Sequence, residues 1–302
     1  MVIRVGASVC LAGAAWRDKV APPVNEQVTV RVPASTSNLG PGFDCLGLAL
    51  RLYNFVRVRR TNAARLPAMC RQAVDAFFAG SRQRPFAFEC AISGEVPAAR
   101  GLGSSVTVRL GVLCALNELS GRSLSRQQLF ETCAELETHP DNAAPAAFGG
   151  FTVVRDSNVQ RWPVLPKLHV VLLIPPFEIA TKHARKLLPT SIPRRDAVMS
   201  AGNVAATVSA FAAKDYRCVR FEDGLHQPFR RRLVPFLDEV IVAAEKAGAL
   251  GGFLSGSGST ICALTLENPD AVASAMSRAC GVAGARTIVT RADNHGARIV
   301  SK

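Results

Sequence analysis

Apolar and polar residues alternate along several short segments of the chain, a pattern typical of half-buried strands. The first clear run starts at Gln27, where Val28, Val30 and Val32 alternate with polar residues. We expect ordered structure to begin there, and residues 1–26 to form an N-terminal extension. Further predicted strands are 52–59, 86–90, 151–154, 169–174, 250–254, 261–266 and 286–290.

Segments with helical spacing of their apolar residues lie between these strands. Residues 104–119 predict a long helix, and Gly121 provides its stop. Ser125 and Gln128 form a capping-box pattern, which predicts that the next helix starts there and ends near Glu137. The other predicted helices are 68–80, 181–188, 197–213, 235–246 and 269–279.

The mixed order of strands and helices indicates an α+β protein rather than a doubly wound parallel sheet. A chain of 302 residues is long enough for one large or two medium domains. Pro163 and Pro166 bracket a short connector, which marks a boundary within 157–167. We therefore expect an N-terminal domain at 27–162 and a C-terminal domain at 163–302.

The net charge of +13 is the unusual feature of the composition. A nucleic-acid-binding protein can have such an excess, because phosphate contacts favour clustered Lys and Arg. Here the excess is mostly arginine, it is spread along the chain, and no basic stretch is interleaved with aromatic residues. We therefore expect no nucleic-acid partner and assign the charge to a cleft for an anionic substrate.

The nine cysteines and the absence of a long apolar run bear on the compartment. No two cysteines lie within ten residues of each other, so no zinc or iron–sulfur spacing occurs. No apolar run reaches the length of a bilayer crossing, and residues 1–15 resemble a signal segment only faintly. These features predict a cytoplasmic protein with reduced cysteines and no membrane partner.

The segment VPAARGLGSS at 96–105 carries the strongest chemical signal. It places a glycine loop between a strand and a helix, and the first backbone N–H groups of a helix have no partner inside it. Gly101 and Gly103 let the backbone approach an anion closely. The loop lacks the Gly-Lys-Ser/Thr of a P-loop and the third glycine of a dinucleotide fingerprint. Alone, it is equally compatible with an ordinary capped turn.

Two further glycine-rich segments favour the anion-binding interpretation. Residues 33–50 read PASTSNLGPGFDCLGLAL, a predicted loop after a strand. Residues 251–264 read GGFLSGSGSTICAL, with Gly-Ser-Gly-Ser between two apolar strands. Three such segments in one chain predict a backbone cradle for a phosphorylated ligand.

The three segments resemble, in their order, the motifs of the galactokinase, homoserine kinase, mevalonate kinase and phosphomevalonate kinase superfamily. Four blocks are similar to the homoserine kinase family within it: NLGPGFD at 38–44, ETHPDN at 137–142, TKHARK at 181–186 and EDGLHQPFR at 222–230. The resemblance runs from about Val28 to the last predicted strand. It implies a two-domain kinase fold, with an N-terminal domain like ribosomal protein S5 domain 2 and a ferredoxin-like C-terminal domain.

The resemblance also implies an activity, ATP-dependent phosphorylation of the side-chain hydroxyl of L-homoserine, with Mg²⁺ as the metal. Ser105 and Glu131 would coordinate that ion. The residues expected around the ATP phosphates are Pro97, Ala98, Ala99, Arg100, Gly101, Leu102, Gly103, Ser104, Ser105, Val106 and Thr107. The glycine hairpin Ser255, Gly256, Ser257 and Gly258 would complete the cradle.

Matching positions for the amino-acid substrate are Asn38, Asp44, His139, Asn142, Thr181, Arg185 and Arg230. Their chemistry suits homoserine, because a carboxylate calls for an arginine fork and an ammonium for a carboxylate. Arg185 and Arg230 can serve the first; Asp44 and Asn142 can serve the second. The same blocks leave the oligomeric state open, a homodimer included.

The expected mechanism is in-line transfer without a strong base, since positioning and charge stabilisation do most of the work in phosphoryl transfer. Residues 28–60 contain no lysine, so the Lys–Asp pair of the mevalonate-phosphorylating relatives is absent. Asn38, the metal and the helix beginning at Ser104 would then assist, with Asn38, Ser105 and Glu131 as the catalytic residues.

Four positions depart from the family pattern: Val106 and Thr107 replace small alanines, Thr138 replaces a glycine and Ser259 replaces a proline. None of them removes a charged or metal-binding group. Three alternatives stay open from the sequence: a sister kinase acting on another small alcohol, a non-catalytic binding protein on this fold, and a basic nucleic-acid-binding domain.

Overall fold

A computed structural model describes residues 26–62 and 66–302. Its strands are β1 (Gln27–Asn38), β2 (Gly42–Arg60), β3 (Phe88–Gly94), β4 (Phe151–Arg155), β5 (Asn158–Trp162), β6 (His169–Ile174), β7 (Gly251–Leu254), β8 (Ile261–Thr265), β9 (Arg286–Arg291) and β10 (Arg298–Ser301). Its α-helices are α1 (Arg71–Ser81), α2 (Ser104–Leu119), α3 (Arg126–Glu137), α4 (Pro140–Phe148), α5 (Thr181–Lys186), α6 (Arg194–Ala213), α7 (Gln227–Arg230), α8 (Leu237–Lys246) and α9 (Pro269–Cys280).

The first sheet has the order β10-β1-β2-β4-β5, and β3 also pairs with the long strand β2. Val30, Val32, Val56 and Val58 point from β1 and β2 into a core that α2 covers. Most residues of α2 after its first turn are apolar, as expected for a helix that is buried around most of its circumference. This sheet therefore holds α2 rigidly, with its N-terminus at the cleft described below.

The second sheet is antiparallel, with the order β7-β8-β6-β9. In chain order the elements run β6, helices, β7, β8, α9 and β9, which is the connectivity of a ferredoxin-like domain. The strands β6 and β8 are buried along almost their whole length, and their sequences are correspondingly almost continuously apolar. The expected α+β fold with a ferredoxin-like C-terminal domain is thus confirmed.

A shared core joins the two domains. Leu46 and Leu48 of β2 lie in the same buried cluster as Leu172 of β6 and Leu264 of β8. The rings of Phe151 in the first sheet and Phe211 in α6 stack with their centroids 4.0 Å apart. The domains consequently form one packed unit with a cleft along their junction. No helix of the described chain is long and apolar enough to cross a membrane.

The segment 33–50 is a β-hairpin rather than the expected loop. β1 continues to Asn38 and β2 starts at Gly42, so only 39–41 form the turn. Gly40 has a φ of +78°, and a Cβ built there would lie 2.4 Å from the carbonyl oxygen of Phe221. Glycine is therefore required at the tip, where the hairpin is packed against the second domain.

Most predicted elements are present, and the capping box of Ser125 and Gln128 is formed with both of its hydrogen bonds. Two strands were not predicted. β5 occupies part of the expected connector at 157–167, and β10 pairs with β1 in the first sheet. The C-terminal residues thus return to the sheet of the N-terminal domain, and the expected domain bounds of 27–162 and 163–302 stay a prediction. The expected extension at 1–26 lies almost wholly outside the described residues.

Candidate active site

A cleft of about 310 Å³ lies at the junction of the two domains. Its walls come from the β1–β2 hairpin, the loop before α2, the α3–α4 junction, the start of α5, α7 and the glycine hairpin. Among the residues expected at the site, the cleft is lined by Asn38, Asp44, Ala98, Ala99, Arg100, Gly101, Leu102, Gly103, Ser104, Ser105, Val106, His139, Asn142, Thr181, Arg185, Arg230, Gly256 and Ser257.

The loop before α2 adopts a backbone that its glycines make possible. Ala99, Gly101 and Gly103 have φ values of +52°, +73° and +67°. A Cβ on Gly101 would lie 2.1 Å from the carbonyl oxygen of Ser255. The first backbone N–H groups of a helix have no intrahelical partner. In α2 no side chain caps them either, because the N-cap residue is Gly103. This geometry is that of an anion site at a helix N-terminus.

Two residues expected around the phosphates do not line the cleft. Pro97 precedes the cleft-lining residues, and Thr107 is fully buried beneath the loop. The Thr107 hydroxyl donates to the carbonyl oxygen of Ser104 and accepts a hydrogen bond from Asn54 Nδ2 at 2.8 Å. The departure from alanine at Thr107 therefore braces the first turn of α2 against β2.

The Ser105 hydroxyl is hydrogen-bonded to a carboxylate other than Glu131, the second Mg²⁺ ligand expected from the sequence. Its hydroxyl donates to Glu137 Oε2 at 2.8 Å, and the other oxygen of Glu137 accepts from Arg109 at 2.7 Å. Glu131 lies six residues earlier on α3, about 9 Å along the helix axis, where it accepts from Gln127. Glu131 does not line the cleft, so the structure does not bring this expected Mg²⁺ ligand to Ser105. Only the packing of α3 against α2 distinguishes the two glutamates.

Asn38 connects the two glycine-rich hairpins. It has a φ of +71°, and its Nδ2 donates to the carbonyl oxygen of Gly256 at 3.1 Å. Its Oδ1 accepts from the backbone N–H of Asp44 at 3.2 Å. One N–H of the Asn38 amide is left for a ligand, because an amide nitrogen carries two. Thr181 and Ser257 face each other across the same opening, with their hydroxyls 3.3 Å apart.

Arg185 brings the hairpin and the α3–α4 junction together. Its guanidinium donates to Asp44 Oδ1 at 2.5 Å and lies within 3.1 Å of both ring nitrogens of His139. Burial, and then the positive charge of Arg185, lower the pKa of His139, so the imidazole is neutral at physiological pH.

Thr138, the departure from glycine, adopts a φ of +60° in the αL region and ends α3 as its C-cap.

Arg230 is a deeply buried charged residue of the cleft, with 2% of its surface exposed. One of its nitrogens donates to the carbonyl oxygen of Gly256 at 2.9 Å, and the same nitrogen lies 3.3 Å from His226 Nδ1. Burial and the nearby charge of Arg185 lower its pKa to about 10, so it stays cationic at neutral pH. Its Nε is buried without a partner in the described structure.

Sequence reasoning missed three residues that support these side chains. His226 Nε2 lies 2.8 Å from the carbonyl oxygen of Gly40 and its ring stacks on Phe43. Both Arg185 and Arg230 lie 5.3 Å from the centre of the Phe43 ring. His226 and Phe43 stand inside the blocks at 222–230 and 38–44, so their positions were the available signal.

Asp141 is the third missed residue. It is buried at the start of α4, and its Oδ1 has no partner among the described residues. Burial and the negative charge of Asp44 raise its pKa to about 7. Oxygen and nitrogen atoms of Asp44, His139 and Asp141 lie within 4.8 Å of one another. Its place beside Asn142 in the block ETHPDN was the only signal.

Comparisons with known proteins agree with this geometry. The models for the GHMP kinases N terminal domain and the GHMP kinases C terminal region match residues 68–150 and 207–282. A homoserine kinase of Caldicellulosiruptor bescii is 35% identical, with 91% of this chain and 97% of the relative covered. One from Microchaete diplosiphon is 37% identical with the same coverage.

Solved structures show the same relationship. A homoserine kinase from Cytophaga hutchinsonii superposes with a TM-score of 0.84 and 27% identity, covering 94% of this chain and all of the other. A mevalonate kinase shares the fold at 13% identity and a TM-score of 0.67. The chain therefore belongs to the GHMP kinases and, within them, to the homoserine kinase family.

Proposed function

We propose that this kinase transfers the γ-phosphoryl group of ATP to the side-chain hydroxyl of L-homoserine, giving O-phospho-L-homoserine for threonine biosynthesis, with the cleft as its active site. The observation that carries this proposal is a pair of buried, unpartnered atoms, one in an arginine and one in a carboxyl group. Arg230 Nε and Asp141 Oδ1 both belong to cleft residues, and neither has a partner in the described structure. Leaving such groups unsatisfied is costly, so a ligand with one carboxylate and one ammonium fits them.

Charged side chains of both signs would orient the α-amino and α-carboxylate groups of the substrate. Arg185 and Arg230 would take the carboxylate, and Asp44 and Asp141 would take the ammonium. The side chain of Asn142 makes no hydrogen bond within the described part of the chain and faces the cleft. With these two groups of the substrate fixed, its side-chain hydroxyl would point toward the loop before α2.

ATP, which the kinase family uses, would place its phosphates on residues 98–106. The N-terminus of α2 stabilises negative charge there, and the charge on the transferring group is the main demand of phosphoryl transfer. No side chain with the character of a strong base is needed, because positioning in line supplies most of the acceleration. The proton of the hydroxyl would leave toward phosphate or solvent.

Ser105 and Glu137 are the residues that would hold Mg²⁺. A hydroxyl and a carboxylate oxygen 2.8 Å apart beside the loop before α2 fit a hard cation that prefers oxygen ligands. When bound, the ion neutralises charge on the β- and γ-phosphates. Glu137 remains oriented by Arg109, which occupies its other oxygen.

We propose no separate nucleic-acid function for the positive charge of the chain. Several arginines donate to backbone carbonyls: Arg51 to Ala292, Arg60 to Leu119, Arg109 to Leu136, Arg126 to Ala297 and Arg161 to Gly149. Such arginines brace the chain rather than form a phosphate-binding stripe. DNA binding that survives physiological salt would contradict this part of the proposal. The cytoplasmic location and the homodimer remain predictions.

The test of the activity is a coupled assay of ADP release with Mg-ATP and one alcohol at a time. We expect turnover with L-homoserine to exceed turnover with mevalonate, shikimate and galactose. If another alcohol is phosphorylated faster, the chain is a sister kinase of the superfamily. If none is phosphorylated, the reading as a non-catalytic binding protein on this fold gains support.

A further inference from the structure

Arg100 lies in the loop before α2, yet its guanidinium is bonded to protein atoms on all three nitrogens. Nε donates to the carbonyl oxygen of Pro175 at 3.1 Å, and one terminal nitrogen donates to that of Pro176 at 2.7 Å. The other terminal nitrogen donates to the carbonyl oxygen of Ala98 at 3.2 Å and pairs with Glu178 at 3.3 Å. Nearly all N–H donors of the side chain are therefore bonded to protein atoms and are not available to a ligand.

The segment that Arg100 holds belongs to the second domain. It follows β6 and leads directly into α5, the helix that carries Thr181 and Arg185 of the amino-acid half of the cleft. Ile179 of this segment donates its backbone N–H to the carbonyl oxygen of Ala99 at 3.3 Å. Side chain and backbone thus connect the phosphate loop to the start of α5.

A second set of contacts connects the same loop to the glycine hairpin. The carbonyl oxygen of Arg100 accepts from the backbone N–H of Thr260 at 3.2 Å, and that of Gly101 accepts from the Ser255 hydroxyl at 2.6 Å. Ser259, the departure from proline, donates to the carbonyl oxygen of Phe177 at 2.6 Å. The loop, the segment 175–179 and the hairpin are therefore one hydrogen-bonded assembly across the domain junction.

We infer that Arg100 is a positioning residue that fixes the phosphate loop to the second domain, so that the transferring phosphoryl group and the amino-acid half of the cleft keep their relative placement. Ala99 sits at a φ of +52°, a conformation that a non-glycine residue keeps only when its surroundings hold it. The planar arginine fork reaches two adjacent carbonyls in a fixed geometry, which a lysine ammonium on its flexible stem does not reproduce. This inference rests on the proposed nucleotide site.

The test compares Arg100→Ala and Arg100→Lys with the wild type. We expect both variants to raise the KM for ATP about tenfold and to weaken ADP binding equally, while adenosine binding changes less than about twofold, because the loop meets only the phosphates. The dissociation constant of homoserine, measured by calorimetry without nucleotide, should stay within about twofold. Arg122→Ala, which removes an exposed ion pair to Glu118, is the control. It should change neither the KM for ATP nor any of these dissociation constants.

Arg100→Lys separates the fork from the charge. If lysine retains the wild-type KM for ATP while alanine does not, Arg100 acts as a charge on the phosphates and the inference is overturned. It is equally overturned if both folded variants behave as wild type. Arg100→Gln, which retains a single donor group, replaces Arg100→Ala if the latter does not fold. A wild-type protein that binds no ADP would instead refute the proposed nucleotide site.

Discussion

The two halves of the cleft would recognise their proposed ligands by different means. The half proposed to bind ATP, called the ATP half below, is a continuous piece of backbone, residues 98–106, whose conformation depends on Gly101 and Gly103 and on the start of α2. The amino-acid half consists of side chains from separate elements, and Asp44 and Arg185, which form an ion pair, are 141 residues apart in the sequence.

This difference follows from the ligands. Phosphate oxygens are alike, and a row of backbone N–H groups can meet them without side chains. An amino acid carries one positive and one negative group, so its orientation requires charged side chains of both signs at set places. Substitutions in the two halves should therefore affect the two KM values separately.

The largest separation is expected from Arg185→Ala. Losing charge-assisted hydrogen bonds worth about 3 kcal/mol should raise the KM for homoserine about 100-fold. The KM for ATP should change less than about threefold, and Asn142→Ala should show the same asymmetry with a smaller rise. Steady-state kinetics with each substrate varied in turn measures both. Arg217→Ala, which removes an exposed ion pair to Glu267, is the matched control. Equal rises in the two KM values would contradict the substrate assignment.

Gly101→Ala is the counterpart in the ATP half. A left-handed φ costs a residue with a side chain about 1–2 kcal/mol, and here the new Cβ also meets the carbonyl oxygen of Ser255. We expect the KM for ATP to rise about 30-fold while homoserine binding is kept. Gly121→Ala tests the backbone cost alone, because Gly121 has a similar φ of +77° with open space around it. It should lower the Tm without altering either KM; a Gly121 variant with a raised KM for ATP would show that the effect is not local.

Two glutamates on α3 provide a sharper test within the ATP half. Glu137→Gln should raise the Mg²⁺ concentration for half-maximal activity about tenfold, because an amide oxygen binds a hard cation more weakly than a carboxylate. Glu131→Gln should leave it unchanged. Titration of Mg²⁺ at fixed ATP distinguishes them. A reversal, with Glu131→Gln the impaired variant, would restore the assignment expected from the sequence.

The smallest effect is a pH dependence confined to the amino-acid half. With a pKa of about 7, Asp141 is roughly one quarter ionised at pH 6.5 and three quarters at pH 7.5. If the ammonium needs the carboxylate, the KM for homoserine should be about threefold higher at the lower pH, with little change for ATP. Asp141→Asn should abolish that dependence. A KM for homoserine that is flat with pH in the wild type would argue against an ionised Asp141 in binding.

The same group predicts the direction of a stability change. The pKa of Asp141 is raised from 3.8, so folding favours its protonated form. Its contribution to the free energy of unfolding is fully present below about pH 4 and is lost as the pH rises through about 7. Urea unfolding of wild type and Asp141→Asn at pH 5 and pH 8 checks the sign. In the Asp141→Asn variant, the difference in the free energy of unfolding between pH 5 and pH 8 should be smaller than in the wild type.

Local elements could be predicted from the sequence because their causes are local. The helix α2, the capping box of α3 and the strand β6 depend on the apolar spacing and end signals of contiguous residues. β10 escaped prediction because its four residues carry no clear alternation and are ordered by pairing with β1, more than 260 positions earlier. Strand pairing over such a distance is decided by the packing of the whole domain.

By itself, the sequence determined the class of fold, the glycine loop before α2 and, through the blocks around His139, Arg185 and Arg230, the family. Those features are contiguous, so their chemistry can be seen in a few neighbouring letters. Only the tertiary structure decided that Glu137 rather than Glu131 meets Ser105, that Asp141 lies beside Asp44, and that Arg100 binds carbonyls of the second domain. The physical reason is that burial and the direction of a side chain depend on which surfaces pack together, and residues on one helix or loop look alike until that packing is known.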